Sequence, residues 1–211
     1  MDGRYDVIII GSGAGGSSLA HRLATGGSKV LVVERGGEVA HKAAGADRYL
    51  YHAMNPGDPM SFIGGATKFY GAALYRMRES DFREVRHEAG ISPAWPIGYD
   101  DLEPYYTQAE QLYRVHGAPD GDPSEPPRSA PYPHPPLPHD PTVAEVVRRL
   151  AAKGVQVAAI PRGLDFGPGR PCVLCPDCDA HACSFDAKMD AETAALRALR
   201  CPLVIICGEN D

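Results

Sequence analysis

The sequence predicts an α/β, Rossmann-like fold, incomplete and carrying a proline-rich and helical insertion, on three observations. A β-branched apolar run, Asp6-Val7-Ile8-Ile9-Ile10, breaks directly into the glycine series Gly11-Ser12-Gly13-Ala14-Gly15-Gly16. A helix-length stretch follows and stops at Gly26-Gly27. A second apolar run, Lys29-Val30-Leu31-Val32-Val33, then ends on Glu34.

Each piece has a physical job. The first run suits a central strand covered on both faces. The glycines at 11, 13 and 16 fit G-x-G-x-x-G: the first allows a tight turn and the second lets a pyrophosphate approach bare backbone. The third lets the next helix pack close to the strand. That helix, Gly15 to Ala24, points its N-terminal N–H groups at the phosphates. Glu34 can accept hydrogen bonds from both ribose hydroxyls of an adenosine and repels a 2′-phosphate. Gly11, Ser12, Gly13, Ala14, Gly15, Gly16, Glu34 and Arg35 are therefore the candidate dinucleotide-binding residues.

A chain of 211 residues can bury a sizeable core. Its net charge of −6 comes from 27 acidic against 21 basic residues with no basic run, so nucleic-acid binding has no electrostatic footprint. The longest apolar stretch, Val7 to Ile10, is strand-sized and far short of a membrane span. Strand one begins almost at the N-terminus, leaving no room for a signal peptide, so a cytoplasmic protein is expected. Its six cysteines then read as thiols or metal ligands rather than disulfides. Cys201-Pro202-Leu203-Val204-Ile205-Ile206-Cys207 reads as a further buried strand flanked by structural cysteines. Three or four strands are few for such a sheet, so the sequence is expected to be the amino-terminal part of a longer protein.

Between these ends the pattern changes. Gly37 to Met60, with turn signals at Asn55-Pro56-Gly57, reads as a long connection with one short helix. Ile63-Gly64-Gly65-Ala66-Thr67-Lys68-Phe69-Tyr70-Gly71 places paired glycines before small and hydroxyl residues, a backbone that can lie against a flat ring or a phosphate. An ordinary glycine turn is the alternative for that stretch taken alone. A helix opens at Asp100, with Glu103 completing a capping-box pattern and Pro104 in the first turn. Leu102, Tyr105, Tyr106, Ala109, Leu112 and Tyr113 recur at helical spacing to His116, which reads as core packing. Gly117 to Pro141 holds ten prolines and suggests extended segments on a surface, with His134 and His139 solvated. Thr142 to Lys153 is an amphipathic helix ended by Gly154. Val155 to Ile160 is a strand candidate, and Ala187 to Leu199 a helix with Asp186 as N-cap.

Cys172, Cys175, Cys178 and Cys183 fall within twelve residues at C-x2-C-x2-C-x4-C spacing. Such density lets sulfurs converge on zinc or an iron–sulfur cluster. The long spacer of a four-cysteine zinc site is absent and the ferredoxin ending differs. Thiols in a loop, or a disulfide between Cys172 and Cys183, remain the alternatives.

Together these motifs resemble the amino-terminal half of GMC-type (glucose–methanol–choline) flavoprotein oxidoreductases. The resemblance rests on GSGAGG with Glu34, on Gly64-Gly65 with Thr67 and Gly71, on WPIGYDDLEPYYTQAEQLY, and on the cysteine segment followed by Ala187-Lys188 and Asp190-Ala191. It implies FAD with its adenosine at Glu34 and its isoalloxazine near Gly64, Gly65, Thr67, Tyr70 and Gly71. No histidine lies in that loop to bond the flavin, so of noncovalent and covalent FAD the resemblance favours noncovalent. It further implies oxidation of CH–OH groups in an alcohol, sugar or sterol by hydride transfer to the flavin, with an electron-transfer partner as one outlet. The catalytic histidine is expected downstream, so no catalytic residue is assigned. Some relatives in that family carry a three-cysteine [3Fe–4S] cluster; by that analogy Cys178 is the spare among the four. The implied organisation is an FAD/NAD(P)-binding βαβ core with flavin-proximal loop at 1–75, a helical and proline-rich insertion at 76–165, a cysteine-rich segment at 166–186, and a return to the FAD-binding domain at 187–211. Two other readings stand beside it: an NAD-dependent dehydrogenase using the same fingerprint, and a catalytically inactive nucleotide-binding fragment.

Overall fold

The two apolar runs form parallel strands, β1 (Val7–Ile10) and β2 (Val30–Glu34), joined by helix α1 (Ala14–Thr25). The structure, a computed structural model, describes residues 4–39, 61–118 and 121–199 and the backbone of 203–205. Val7 lies opposite Val30 and Ile10 opposite Val33. A third parallel strand at Leu203–Ile205 (β7 in chain order) pairs with the other edge of β2, giving the order β1-β2-β7. Alternation along β1 and β2 sends Ile9, Val30 and Val32 to one face, where they pack with Ala20 of α1, Ile63 and Leu196.

The opposite face departs from expectation. Ile8 is 61 % and Ile10 88 % exposed, so β1 is covered on one face only among the described residues. The cause is geometric: α1 and Leu196 pack on the Ile9 side, and β1 is the edge strand of the described sheet.

The chain divides into two compact units, Met1–Ala72 with Leu164–Asp211, and Ala73–Gly163. In the first, the helix expected from Ala187 is a short wide-turn (π) helix at Ala191–Leu196. Its N-cap is Asp190, whose carboxylate accepts the Thr193 N–H at 2.9 Å. Asp186, the expected cap, instead pairs with Arg197 at 3.1 Å. Residues 40–60, Cys201 and Cys207 lie outside the described residues, and with them the expected long connection and the two flanking cysteines.

The second unit holds a small hairpin, β3 (Val85–His87) with β4 (Gly90–Ser92), then helix α2 (Tyr99–Leu112). The Asp101 carboxylate accepts the Gly98 N–H at 2.8 Å, so the cap lies earlier than the Asp100–Glu103 pattern suggested. Glu103 is drawn into an ion lattice instead. α2 stops at Leu112 because Val115–His116 (β5) pairs antiparallel with Arg162–Gly163 (β6). Of the aromatic stripe, Tyr113 is buried but Tyr105 is 61 % exposed. His134 is not solvated: its ring stacks on His116 at 4.8 Å, and its N–H donates to the Val115 carbonyl. Helix α3 (Pro141–Ala151) is capped by Asp140 and leaves Val143 and Val146 exposed. Val155 to Ile160 forms no strand; Val155, Val157 and Ile160 stay exposed, with no described strand alongside.

Arg76 organises this unit. Its side chain is 1 % exposed, and all five N–H donors are used. Two meet Glu110 as a fork at 2.8 Å each, and the others reach Tyr99, Glu103 and Thr107 at 2.9 to 3.0 Å. Arg128 adds a bond to Glu110 at 3.1 Å and one to Glu125 at 2.9 Å, and lies over the Tyr132 ring. The proline-rich stretch is thus pinned to α2 by charge, while most of its prolines lie on the surface as expected.

This lattice predicts an acid response. The Ser129 N–H, then Arg76, hold the Glu103 carboxyl down at about 2 instead of 4.5. A carboxyl lowered in the folded state stabilises the fold above its unfolded value, and that contribution is lost as pH falls from 4.5 toward about 2. Glu103→Gln is therefore expected to flatten the fall of melting temperature between pH 5 and 2, checked by thermal melts of both proteins across that range. Equal acid slopes would overturn it.

Candidate functional site

Three sequence motifs meet at one buried hydroxyl. Ser12, fully buried, donates both its N–H (2.8 Å) and its Oγ–H (2.6 Å) to one oxygen of Glu34. The same Oγ accepts the N–H of Gly64 at 3.1 Å. Fingerprint, acidic residue and second glycine pair are linked through that single side chain. The second oxygen of Glu34 accepts the Gly36 N–H at 2.9 Å. Burial works to raise the pKa of Glu34, but the bonds from Ser12, Gly36 and Arg35 outweigh it and keep the carboxyl below its usual range.

The glycines divide into two kinds. A Cβ at Gly16 would stand 2.0 Å from the Gly11 carbonyl oxygen and 3.3 Å from Ile9, so only glycine lets α1 lie this close to β1. A Cβ at Gly11, Gly13 or Gly15 would meet nothing within 4 Å. The fingerprint backbone therefore borders open space. Helix α1 begins there with no side-chain cap and no acidic residue in its first turn, leaving its N–H groups and positive dipole end available to an anion. Ala14 and Arg35 are exposed beside it.

Gly64 (φ +88°) and Gly65 (φ +57°) are both left-handed, and a Cβ at Gly65 would lie 3.1 Å from the Gly13 Cα. The second glycine pair thus rests on the first glycine loop, from which a 3-10 turn runs Gly65–Lys68. Behind it the polar side chains face inward. Thr67 Oγ donates to the Gly64 carbonyl at 2.6 Å and accepts the Ala191 N–H at 2.9 Å. Tyr70 OH donates to the Met189 carbonyl at 2.6 Å. Gly71 lies against Asp179.

Four residues to which sequence reasoning gave no site role hold this arrangement. Lys68, with no exposed surface, pairs with Asp190 at 3.1 Å and with Glu192. Burial raises the Glu192 pKa, but Lys68 and Arg197 outweigh it and keep it low. Lys188, also without exposed surface, donates to the carbonyls of Tyr70, Cys178 and His181. Burial is the largest influence on Lys188 and pushes its pKa down to about 8. The available signal was charge among small apolar residues in AKMDAET, but nothing local told which partners it would meet.

The four cysteines are half-buried thiols. Burial, then the proximity of Cys178, Cys183 and Cys175, raises the Cys172 pKa. Left-handed residues Leu174 and Ala180 turn the chain between them, and the Cys183 sulfur is turned to the Ala187 N–H at 3.3 Å. Among the described residues no three His, Cys, Asp or Glu side chains are gathered to hold a metal ion. Among the same residues, no helix is long and apolar enough to cross a membrane.

Comparison with known proteins agrees with the glycine cradle. Residues 6–118 match the FAD dependent oxidoreductase family. The chain is 32 % identical over 215 residues to paromamine 6'-oxidase of Streptomyces fradiae, covering 92 % of this chain and 38 % of that protein. It is 32 % identical to 6'''-hydroxyparomomycin C oxidase of Streptomyces lividus (92 % of this chain, 39 % of that one). The large subunit of fructose dehydrogenase from Gluconobacter japonicus is 27 % identical over 239 residues, covering 92 % of this chain and 43 % of its own. The chain therefore spans about two fifths of the length of these relatives. A crystal structure of pyridoxine 4-oxidase from Mesorbium loti covers 97 % of this chain at 19 % identity, with a TM-score of 0.49. The relatives are GMC-type oxidoreductases, and the chain belongs to the FAD dependent oxidoreductase family.

Proposed function

We propose that this chain is the FAD-binding part of an oxidoreductase that oxidises a CH–OH group of a small alcohol or sugar. The observation that carries it is the Glu34–Ser12–Gly64 link beside an uncapped α1, a cradle whose glycine backbone borders open space. Gly13, Ala14, Gly15 and Gly16 present N–H groups to the pyrophosphate over the turn of Gly11 and Ser12, whose own N–H groups go to the Val33 carbonyl and the Glu34 carboxylate, and Glu34, beside Arg35, orients the adenosine ribose. Gly64 and Gly65 bring backbone to the flavin side, while Thr67, Tyr70 and Gly71 fix that loop from behind. Bound FAD supplies the acceptor for the hydride of the substrate C–H. The substrate class rests on the relatives, whose names specify paromamine, hydroxyparomomycin and fructose. A separate electron-transfer partner belongs to the same proposal. No step is routed through an iron–sulfur cluster.

Full-length protein is expected to purify yellow and to bind FAD in preference to NAD. Flavin absorbance of the purified protein, with competing titration of FAD and NAD into the apoprotein, checks this. A colourless protein that takes up NAD and not FAD would favour the nicotinamide reading.

A further inference from the structure

The cysteine loop, 172–183, is packed directly behind the glycine loop, 64–71. The Ala180 N–H donates to the Phe69 carbonyl at 2.8 Å, and Gly71 lies against the Asp179 side chain. Between the two loops stands Lys188. Its ammonium has three N–H donors, and all three go to backbone carbonyls: Tyr70 at 2.9 Å, Cys178 at 2.8 Å and His181 at 2.6 Å. One acceptor belongs to the glycine loop and two to the cysteine loop. The ammonium also lies 5.6 Å from the centre of the Tyr70 ring, and the Tyr70 hydroxyl returns to the Met189 carbonyl. Lys68, by contrast, is neutralised by carboxylates, Asp190 and Glu192.

A buried cation bonded to neutral carbonyls from two loops holds each loop only while the other is in place. If the cysteine loop opens, two of the three acceptors leave, and the ammonium keeps only the Tyr70 carbonyl, so the Tyr70 segment is left to carry it alone or to shift with it. We propose that Lys188 is a positioning residue that couples the cysteine loop to the flavin-proximal loop. FAD binding and access to the cysteine thiols then control each other. The inference rests on the FAD reading of the glycine loop given above. Coupling of this kind is reciprocal: whatever factor FAD applies to opening of the cysteine loop, a blocked cysteine loop applies to FAD affinity.

The test uses full-length protein and a thiol-alkylating reagent, iodoacetamide, with modification at Cys172, Cys175, Cys178 and Cys183 followed by peptide mass spectrometry. In the wild type, saturating FAD is expected to slow alkylation of these cysteines at least about fivefold, the lower end of ordinary coupling between sites. Protein alkylated beforehand is expected to bind FAD weaker by the same factor, an arm that needs no variant. In Lys188→Met the alkylation rate with and without FAD is expected to converge. If that variant does not fold, Lys188→Arg replaces it: a planar guanidinium cannot direct three donors at the three carbonyls, so protection is expected to shrink there too. Wild-type protein that binds no FAD overturns both this inference and the proposed function. Protein that binds FAD with unchanged alkylation overturns this inference alone, as does full protection in a folded Lys188 variant. A merely structural lysine would lower stability and leave the protection ratio where it was.

Discussion

Gly13→Asp in the full-length protein is expected to lower FAD affinity at least about a hundredfold, as a like-charge contact of several kcal/mol requires. Its melting temperature is expected to stay within about three degrees of wild type. The two halves of that expectation come from one observation. A side chain at Gly13 has nothing within 4 Å, so the fold tolerates it. The same open space is where the diphosphate of the cofactor is proposed to lie, so a carboxylate there is expected to repel it. Gly16→Ala is the matched contrast. Its methyl would stand 2.0 Å from the Gly11 carbonyl oxygen, and backbone cannot rotate out of the way as a flexible side chain can. That variant is expected to lose about 3 kcal/mol or more of stability. Thermal melts and flavin fluorescence titration of the pair separate the two roles. A Gly13→Asp protein that unfolds, or binds FAD normally, would defeat the assignment of that space.

The second large effect is expected at Arg76. Arg76→Met leaves the buried Glu110 and the partly exposed Glu103 without the guanidinium that neutralises them, and removing one partner of a buried pair costs about 3–5 kcal/mol. Arg128 still reaches Glu110 but meets it less squarely, at 3.1 and 3.3 Å. Amide hydrogen exchange over α2 and over residues 122–132 is therefore expected to accelerate more than about a hundredfold. Arg76→Met with Glu110→Leu, which removes the stranded charge as well, is expected to recover much of the protection. Unchanged exchange in the single variant would show that the lattice is not what pins the proline-rich stretch.

What was legible in the sequence was what local spacing encodes. Strand, glycine turn, helix and acid follow each other within thirty residues, and the structure places them as a βαβ unit with Gly16 as the contact glycine. The interior was less legible because its pairs are far apart in sequence. Lys68 meets Asp190 across 122 positions, and Lys188 meets the Tyr70 carbonyl across 118. No periodicity carries such information. The errors share a cause: a local rule was applied where a distant partner outbid it. Glu103 matched a capping pattern, but the buried Arg76 was a stronger partner than a terminal N–H. Asp186 was placed to cap a helix, but Arg197 took it and Asp190 capped instead. The apolar run Val155 to Ile160 looked like a strand but had no described neighbour to complete a ladder.

The bare face of β1 has a practical corollary for handling this chain. Among the described residues, Ile8 and Ile10 stand on an edge strand, 61 % and 88 % exposed. Flat, apolar, unpaired edges are templates for adding a foreign strand. A preparation in which that face stays bare will therefore behave as a colloid problem before it behaves as a flavoprotein. Its aggregation rate should rise steeply with concentration, and a charged residue at position 10 should slow it without touching the cradle. Solubility screening of such variants is the natural first step toward every measurement above.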